Sequence, residues 1–526
     1  MSKSLVPIIY KPGIQRDGTT FQGETCTDGQ WIRFQRGMIK KMGGMKAVNT
    51  SFARTRRTTN LLMVQNGDNL DLYTADNTRV YRTIINHNFV VATASAPISP
   101  AIAAGAQQNV LWHSTIVIRN NVRTIVFMQT SNARNIAQTT ASNLYHQPVN
   151  SAAGTQLVAA AIPAEATGGM CYSSPYLFIY GNNGYVRYSS IEDPLRFTGG
   201  TSGGFVISND KVIYGANIRG GATSPSLLFW TMSSLVRTSN VGDATPLFKN
   251  EILSNSCSIL SSRCVVEYDG MFFWPGTERF FVYNGVVGPM ENRTNLNYFY
   301  DNLDMNKRQL VFGLKNQKYE EIWWFYPEKI NEADLTIGCT RALIYNKREN
   351  SWYDVAISRD CGLSFDDLGI MVTCGRPLIT PDEFNYVWRH ETDVNQVWTP
   401  GAGGGQATAP IPSSFTLPVF SWASPFNPNR APGTRSQAIE RNIELLRIEP
   451  DFVMDNNRDD IMQVTVNTKR YAQSPVVSNT PVPFTRTTEK IDMRVQGRHM
   501  FLTFSGSGNF EMGNVQMLVS AGDGRA

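Results

Sequence analysis

The chain has 526 residues, of which 42% are hydrophobic, 11% aromatic and only 17% charged, with a formal net charge of +5. Charge is well below the roughly 25% usual for soluble proteins, and Ser, Thr, Asn, Gln and Gly fill the gap, as suits a β-rich chain or a part of a large assembly. No apolar run approaches the roughly 18 residues of a membrane-spanning helix, and residues 1–7 lack the apolar core of a secretory signal. The seven cysteines are scattered, with no Cys-x-x-Cys, so free thiols of a protein made in a reducing cytoplasm are expected.

Residues 1–57 form the first unit. They carry eleven Lys or Arg against three Asp or Glu, a net of +8, which leaves the rest of the chain at −3. Such asymmetry predicts an arm that meets something acidic: nucleic acid, a membrane surface or a protein. Within it, Trp31-Ile32-Arg33-Phe34 alternates apolar and basic residues and reads as an edge strand. Trp31, Arg33, Phe34, Arg36, Lys40 and Lys41 are its candidate assembly-interface residues.

Residues 58–398 read as strand, turn, strand throughout. Leu61-Leu62-Met63-Val64 and Leu70-Asp71-Leu72-Tyr73 flank Asn66-Gly67. Val265-Val266-Glu267-Tyr268 and Met271-Phe272-Phe273-Trp274 flank Asp269-Gly270. Asn-Gly and Asp-Gly between apolar runs are hairpin signals because both residues tolerate positive φ. The strands are rich in aromatic and β-branched residues, which suit a pleated surface. The hairpins form about five to seven clusters by these turn signals, without an aligned repeat, so a divergent β-propeller body is expected. Residues 92–105 and 151–169, rich in Ala, read as long surface connections. Residues 399–414, with Pro, Gly and Ala, read as a linker or loop. Residues 415–526 return to alternation, as in Met462-Gln463-Val464-Thr465-Val466, and predict a β-sandwich-like C-terminal domain. Residues 437–446 read as the entry to a strand.

Catalytic signals are weak. His87, His113, His146, His390 and His499 show no metal-ligand spacing. Gly200-Thr201-Ser202-Gly203-Gly204 fits Gly-x-Ser-x-Gly, but a nucleophile elbow needs a strand before it and a helix after it. Here a strand follows, so this is a glycine-rich loop. Arg219-Gly220-Gly221-Ala222 is a turn with no phosphate-binding Lys after it. Ser358-Arg359-Asp360-Cys361-Gly362-Leu363-Ser364-Phe365 resembles the structural hairpin turn of sialidase-type propellers. Asp366/Asp367, Glu320/Glu321 and Asp459/Asp460 are sequence neighbours, which point to opposite faces of a strand, and read as solvated acids rather than the paired carboxylates of a glycosidase. Trp323, Trp324, Trp352, Trp388 and Trp398 suit a propeller core better than a sugar-binding surface. No catalytic residue, cofactor or metal is expected.

Three segments carry a family resemblance. The first is Pro12-Gly13-Ile14-Gln15-Arg16-Asp17-Gly18-Thr19 with Asp28-Gly29-Gln30-Trp31-Ile32-Arg33-Phe34-Gln35-Arg36-Gly37 and Lys41-Met42-Gly43-Gly44. The second is Tyr188-Ser189-Ser190-Ile191-Glu192-Asp193-Pro194. The third is Val495-Gln496-Gly497-Arg498-His499-Met500-Phe501-Leu502-Thr503-Phe504. Together the chain resembles the tail nozzle or hub proteins of short-tailed bacteriophages (podoviruses), the group that includes packaged-DNA stabilisation proteins. That resemblance implies a structural virion protein, not an enzyme. It implies a homo-oligomeric, six-fold ring below the portal-adaptor (head-to-tail connector) protein. It also implies double-stranded DNA in the lumen, retained until ejection, and a tail fibre or needle attached distally. The expected location is the virion tail, without stable membrane insertion. A near-neutral body suits a channel through which DNA slips, since a basic lumen would hold phosphate. The basic arm is then expected on the adaptor or a neighbouring subunit. A receptor- or glycan-binding propeller of a tail fibre is the alternative.

Overall fold

A computed structural model describes residues 3–19, 24–48, 57–102, 110–130, 143–218, 226–242, 247–329, 338–379, 384–400, 405–421, 442–455 and 460–521. The turn at 219–222, Asp459, residues 401–404 and 437–441, and part of the arm lie outside them.

The protein is all-β: a β-propeller carrying an N-terminal arm and a C-terminal β domain. Six four-stranded antiparallel sheets follow one another along the chain, at 58–97, 111–160, 169–206, 212–254, 266–289 and 312–359 (blades 1 to 6), and a larger sheet at 361–410 is blade 7. Their innermost strands touch from blade 1 to blade 4 and from blade 5 to blade 7, and Cys361–Phe365 of blade 7 returns to Thr58–Asn66 of blade 1. Between blades 4 and 5 the join is aromatic, with Trp230 5.6 Å from Trp274, edge to face. Second strands are the most buried. Tyr176–Tyr180 and Glu321–Tyr326 are buried at every residue, because a middle strand packs against blades on both faces.

The turns follow the expected chemistry. Asp269 and Gly270 take φ of 52° and 74°, the two-residue turn whose twist matches the flanking strands. Asn120 and Asn121, at 50° and 61°, do the same without glycine, between Leu111–Arg119 and Val122–Thr130.

Four readings need correction. Residues 92–105 and 151–169 are not only connections: Val91–Pro97 and Val158–Ala160 are the outermost strands of blades 1 and 2. Residues 399–414 are not a free linker, since Ala407–Pro410 pairs with Asn395–Trp398 and Ser413–Thr416 enters the C-terminal domain. The pairing runs down an outer edge, where the small side chains and the terminal proline are tolerated. The 358–365 segment is no hairpin turn; it crosses from Ser351–Arg359 of blade 6 to Cys361–Phe365 of blade 7. Glu321 is not solvated but fully buried.

Asp360, at that crossover, accepts a hydrogen bond of 2.7 Å from Asn385 Nδ2. Burial lifts its carboxyl to about 6, against the pull of nearby Arg57 and Arg376. A carboxyl raised by folding favours the native state fully only below its unfolded pKa. That contribution is lost as pH rises through about 6. Two units correspond to about 3 kcal/mol. Denaturant unfolding between pH 4 and 7.5 is therefore expected to show a fall in stability that Asp360→Asn flattens. An equal fall in both proteins would assign it elsewhere.

All seven cysteines are free and buried. The one α-helix among the described residues, Leu296–Asn302, lies between blades 5 and 6.

Candidate functional site at the arm junction

The arm contributes seven strands: β1 (Lys3–Pro7), β2 (Lys11–Ile14), β3 (Thr25–Cys26), β4 (Asp28–Gln30), β5 (Ile32–Gln35), β6 (Met38–Lys41) and β7 (Met45–Ala47). None of its sheets is its own except the small β2–β3 pair, whose β2 lies against Ser351–Arg359. β1 pairs with Gln516–Ala521, β4 with Ser413–Thr416, and β6 with Phe510–Met512. β7 enters the middle of blade 7, antiparallel to Tyr386–His390 and parallel to Asn395–Trp398. The arm thus supplies the strand that completes the seventh blade just before the chain begins the first. One apolar core runs through all of this, from Trp31, Phe34 and Ile39 to Trp323, Phe325 and Trp388 of the propeller and Phe415, Phe504 and Phe510 of the C-terminal domain.

Arg33 is the charged centre of the junction. It is 1% exposed, with Nε 3.0 Å from Glu321 Oε1 of blade 6. Its Nη1 donates to Glu391 Oε2 of blade 7 over 3.0 Å, and its guanidinium lies 3.5 Å from the centre of the Tyr319 ring. Glu321 is held further by Trp323 Nε1 at 2.9 Å and the Tyr353 hydroxyl at 2.7 Å. Asn316 Nδ2 donates to both carboxylates, and the Gly43 N–H to Glu391. Burial alone would release the Arg33 proton more easily, but the two carboxylates more than reverse this. Burial raises Glu321, with Arg33 opposing it. Such a group can fix geometry; with every partner engaged it is unsuited to proton transfer.

Other arm residues are secured in the same way. Arg16 bridges Asp28 at 2.5 Å and Asp354 of blade 6 at 2.9 Å. Asp17 accepts 2.8 Å hydrogen bonds from the N–H groups of Asn297 and Tyr298 and so caps the first turn of the helix. The β5–β6 turn has Arg36 at φ 55° and Gly37 at 75°, and both N–H groups donate to the Glu349 carboxylate.

The six predicted interface residues therefore divide. Trp31, Arg33, Phe34 and Lys41 are buried in their own chain, which corrects their reading as a surface for another molecule. Lys41 Nζ donates to the Ser507 carbonyl. Lys40 is half-buried near Glu511 and Arg36 is exposed. Much of the acid that answers the arm's positive charge lies in the body of the same chain: Glu321, Asp354, Glu391 and Glu511. Sequence reading missed these partners. The available signal was Glu321, an acid opening the aromatic run Ile322-Trp323-Trp324-Phe325, where burial demands a cation.

The tryptophans and the Gly-x-Ser-x-Gly serine sit in structural settings. Trp323, Trp324, Trp352, Trp388 and Trp398 are all buried. Ser202 lies in a loop before the strand Gly203–Val206, its hydroxyl donating to the Gly199 carbonyl at 2.7 Å. Among the described residues no cluster of three His, Cys, Asp or Glu has metal-binding geometry, and no helix is long and apolar enough to cross a membrane.

No family model matches the chain, and no curated protein matches it. Among solved structures it is similar to an ancestral GH74 enzyme, at 13% identity and a TM-score of 0.39, over 73% of this chain and 52% of that one. It thus spans about half of that enzyme. It is also similar to a functionally unknown protein from Desulfotomaculum acetoxidans, at 11% identity and a TM-score of 0.36, over 57% of this chain and 89% of the other. Both likenesses are too distant to carry a functional argument.

Proposed function

We propose that this chain is a non-catalytic tail nozzle or hub protein of a short-tailed bacteriophage, acting as a six-fold ring below the portal-adaptor complex. The supporting observation is where the most specific resembling segment falls. Residues 12–19, 28–37 and 41–44 join blade 6, the helix and blade 7 through Arg16, Asp17, Arg33 and Gly43, and join the C-terminal domain through the pairing of Asp28–Gln30 with Ser413–Thr416. The segment that marks the resemblance is thus the one that makes the subunit rigid, as a tail part under DNA pressure requires. DNA would run through the lumen between subunits, because Arg263 crosses the propeller's own axis to the Thr59 carbonyl of blade 1. The adaptor-facing surface would use exposed arm groups such as Arg36, not the buried Arg33 and Lys41. The distal fibre or needle would attach at the other end of the ring.

Mixing the protein with an isolated portal-adaptor complex and weighing the product by mass photometry tests the reading. Six copies per complex are expected, with retention of DNA in tail-less, filled capsids after addition. A protein that leaves both the complex and the capsids unchanged would overturn it. Arg36→Glu is expected to weaken docking while leaving thermal stability unchanged, since the Glu349 contacts of this turn come from backbone N–H groups.

A further inference from the structure

We propose that the cavity at the seam between blades 1 and 7 binds a small carboxylate carried on an apolar body. The cavity measures about 260 Å³. It lies between β7 and Tyr386–His390 of blade 7 and the tip of the blade 1 hairpin that joins Val80–Asn86 to Val91–Pro97. Val48, Phe89, Val90 and Val91 make its wall apolar. Its charged groups are Lys46 and Arg389, both positive, and among the described residues no Asp or Glu lines it.

The two cations are set against each other. Arg389 and Lys46 are direct partners in the antiparallel pairing of their strands, a position in which like charges repel. Among the described residues neither has a carboxylate to answer it. Glu391, two residues beyond Arg389, is turned to Arg33 and the Gly43 N–H instead. The Arg389 guanidinium lies 4.8 Å from the centre of the Phe89 ring. That contact holds the group in place without using its N–H donors. Its Nε is buried, but Nη1 and Nη2 are open to solvent and have no hydrogen-bond partner among the described residues. They are free donors on the cavity wall.

A carboxylate completes this arrangement. The N–H groups of a guanidinium match its two oxygens, and the Lys46 ammonium adds a second, compact charge. Its negative charge also cancels the repulsion between the paired strands. The valines and Phe89 set the rest of the ligand. A bare anion would leave that wall in water, whereas an apolar body buries against it. Asn88 and Thr392 complete the lining with neutral groups, so nothing there repels the carboxylate.

The test titrates the full-length protein by calorimetry at constant ionic strength with sodium benzoate. Benzamide, which keeps the ring without the charge, and sodium acetate, which keeps the charge without the ring, are the controls. Saturable binding of benzoate is expected, at least tenfold tighter than either control. Loss of a charge-assisted hydrogen bond corresponds to about a tenfold to hundredfold drop in affinity, which is the expectation for Arg389→Gln. Lys46→Gln should weaken benzoate several-fold without lowering the thermal midpoint, because Lys46 is exposed and its removal relieves a like-charge pair. Absence of benzoate binding, equal binding of benzamide or acetate, or benzoate binding indifferent to both substitutions would overturn the proposal.

Discussion

Arg33→Ala is expected to cost about 3–5 kcal/mol of folding stability, the range for breaking a buried ion pair from one side. The loss comes less from the missing attraction than from what remains. Glu321 is fully buried between Trp323 and Tyr353, and without Arg33 no cation balances it. Denaturant unfolding should show a lower midpoint. Because the arm residue and its carboxylates sit on different elements, the C-terminal domain and blade 7 should loosen together, read as faster proteolysis of both. Pairing Arg33→Met with Glu321→Gln should recover part of the loss, since the fully buried carboxylate is gone while the slightly exposed Glu391 still loses its cation. A double variant as unstable as Arg33→Ala would show that shape, not charge, governs the junction.

Gly44→Val should cost about 3 kcal/mol or more, at or above the upper end of ordinary overpacking. A Cβ on Gly44 would lie 2.2 Å from the Asn395 carbonyl oxygen and 2.6 Å from its nitrogen. Both are backbone atoms of the strand beside β7, already fixed by the Thr392 N–H to Gly44 carbonyl bond of 3.1 Å. No side chain can rotate away to relieve the contact. The expected result is a propeller that fails to seal, seen as a lowered thermal midpoint and cleavage within blade 7. Lys46→Val, on the exposed side of the same strand, should change stability by no more than about 0.5 kcal/mol. Equal effects at the two positions would remove the argument from close approach.

The blades were legible because their information is local. Asn66-Gly67 and Asp269-Gly270 announce turns, and runs such as Phe280-Phe281-Val282-Tyr283 announce pleated, buried strands. The arm was legible as a strand-former and as a basic segment, but not in its placement. That β7 pairs with Tyr386–His390, or that Arg33 answers Glu321 and Glu391, depends on contacts between distant parts of the chain that no local pattern encodes. The basic arm meets much of its acidic complement within its own chain, at Glu321, Asp354, Glu391 and Glu511. Ala407–Pro410 was hidden for a different reason: outer-edge strands tolerate small residues and proline, so its composition matched a loop.

The interlacing of the arm has a consequence for biosynthesis. Lys3 pairs with Ser520, and Met45 with His390. At about 5–20 residues per second, a ribosome needs roughly half a minute to two minutes to make the later partner of β1. Throughout that interval the earliest segment to emerge has none of its final neighbours, and blade 1 is built beside an unsealed gap. Pairing across such separations is slow to nucleate. The subunit therefore cannot close until Gln516–Ala521 has been made, and until then β1 presents an unpaired edge.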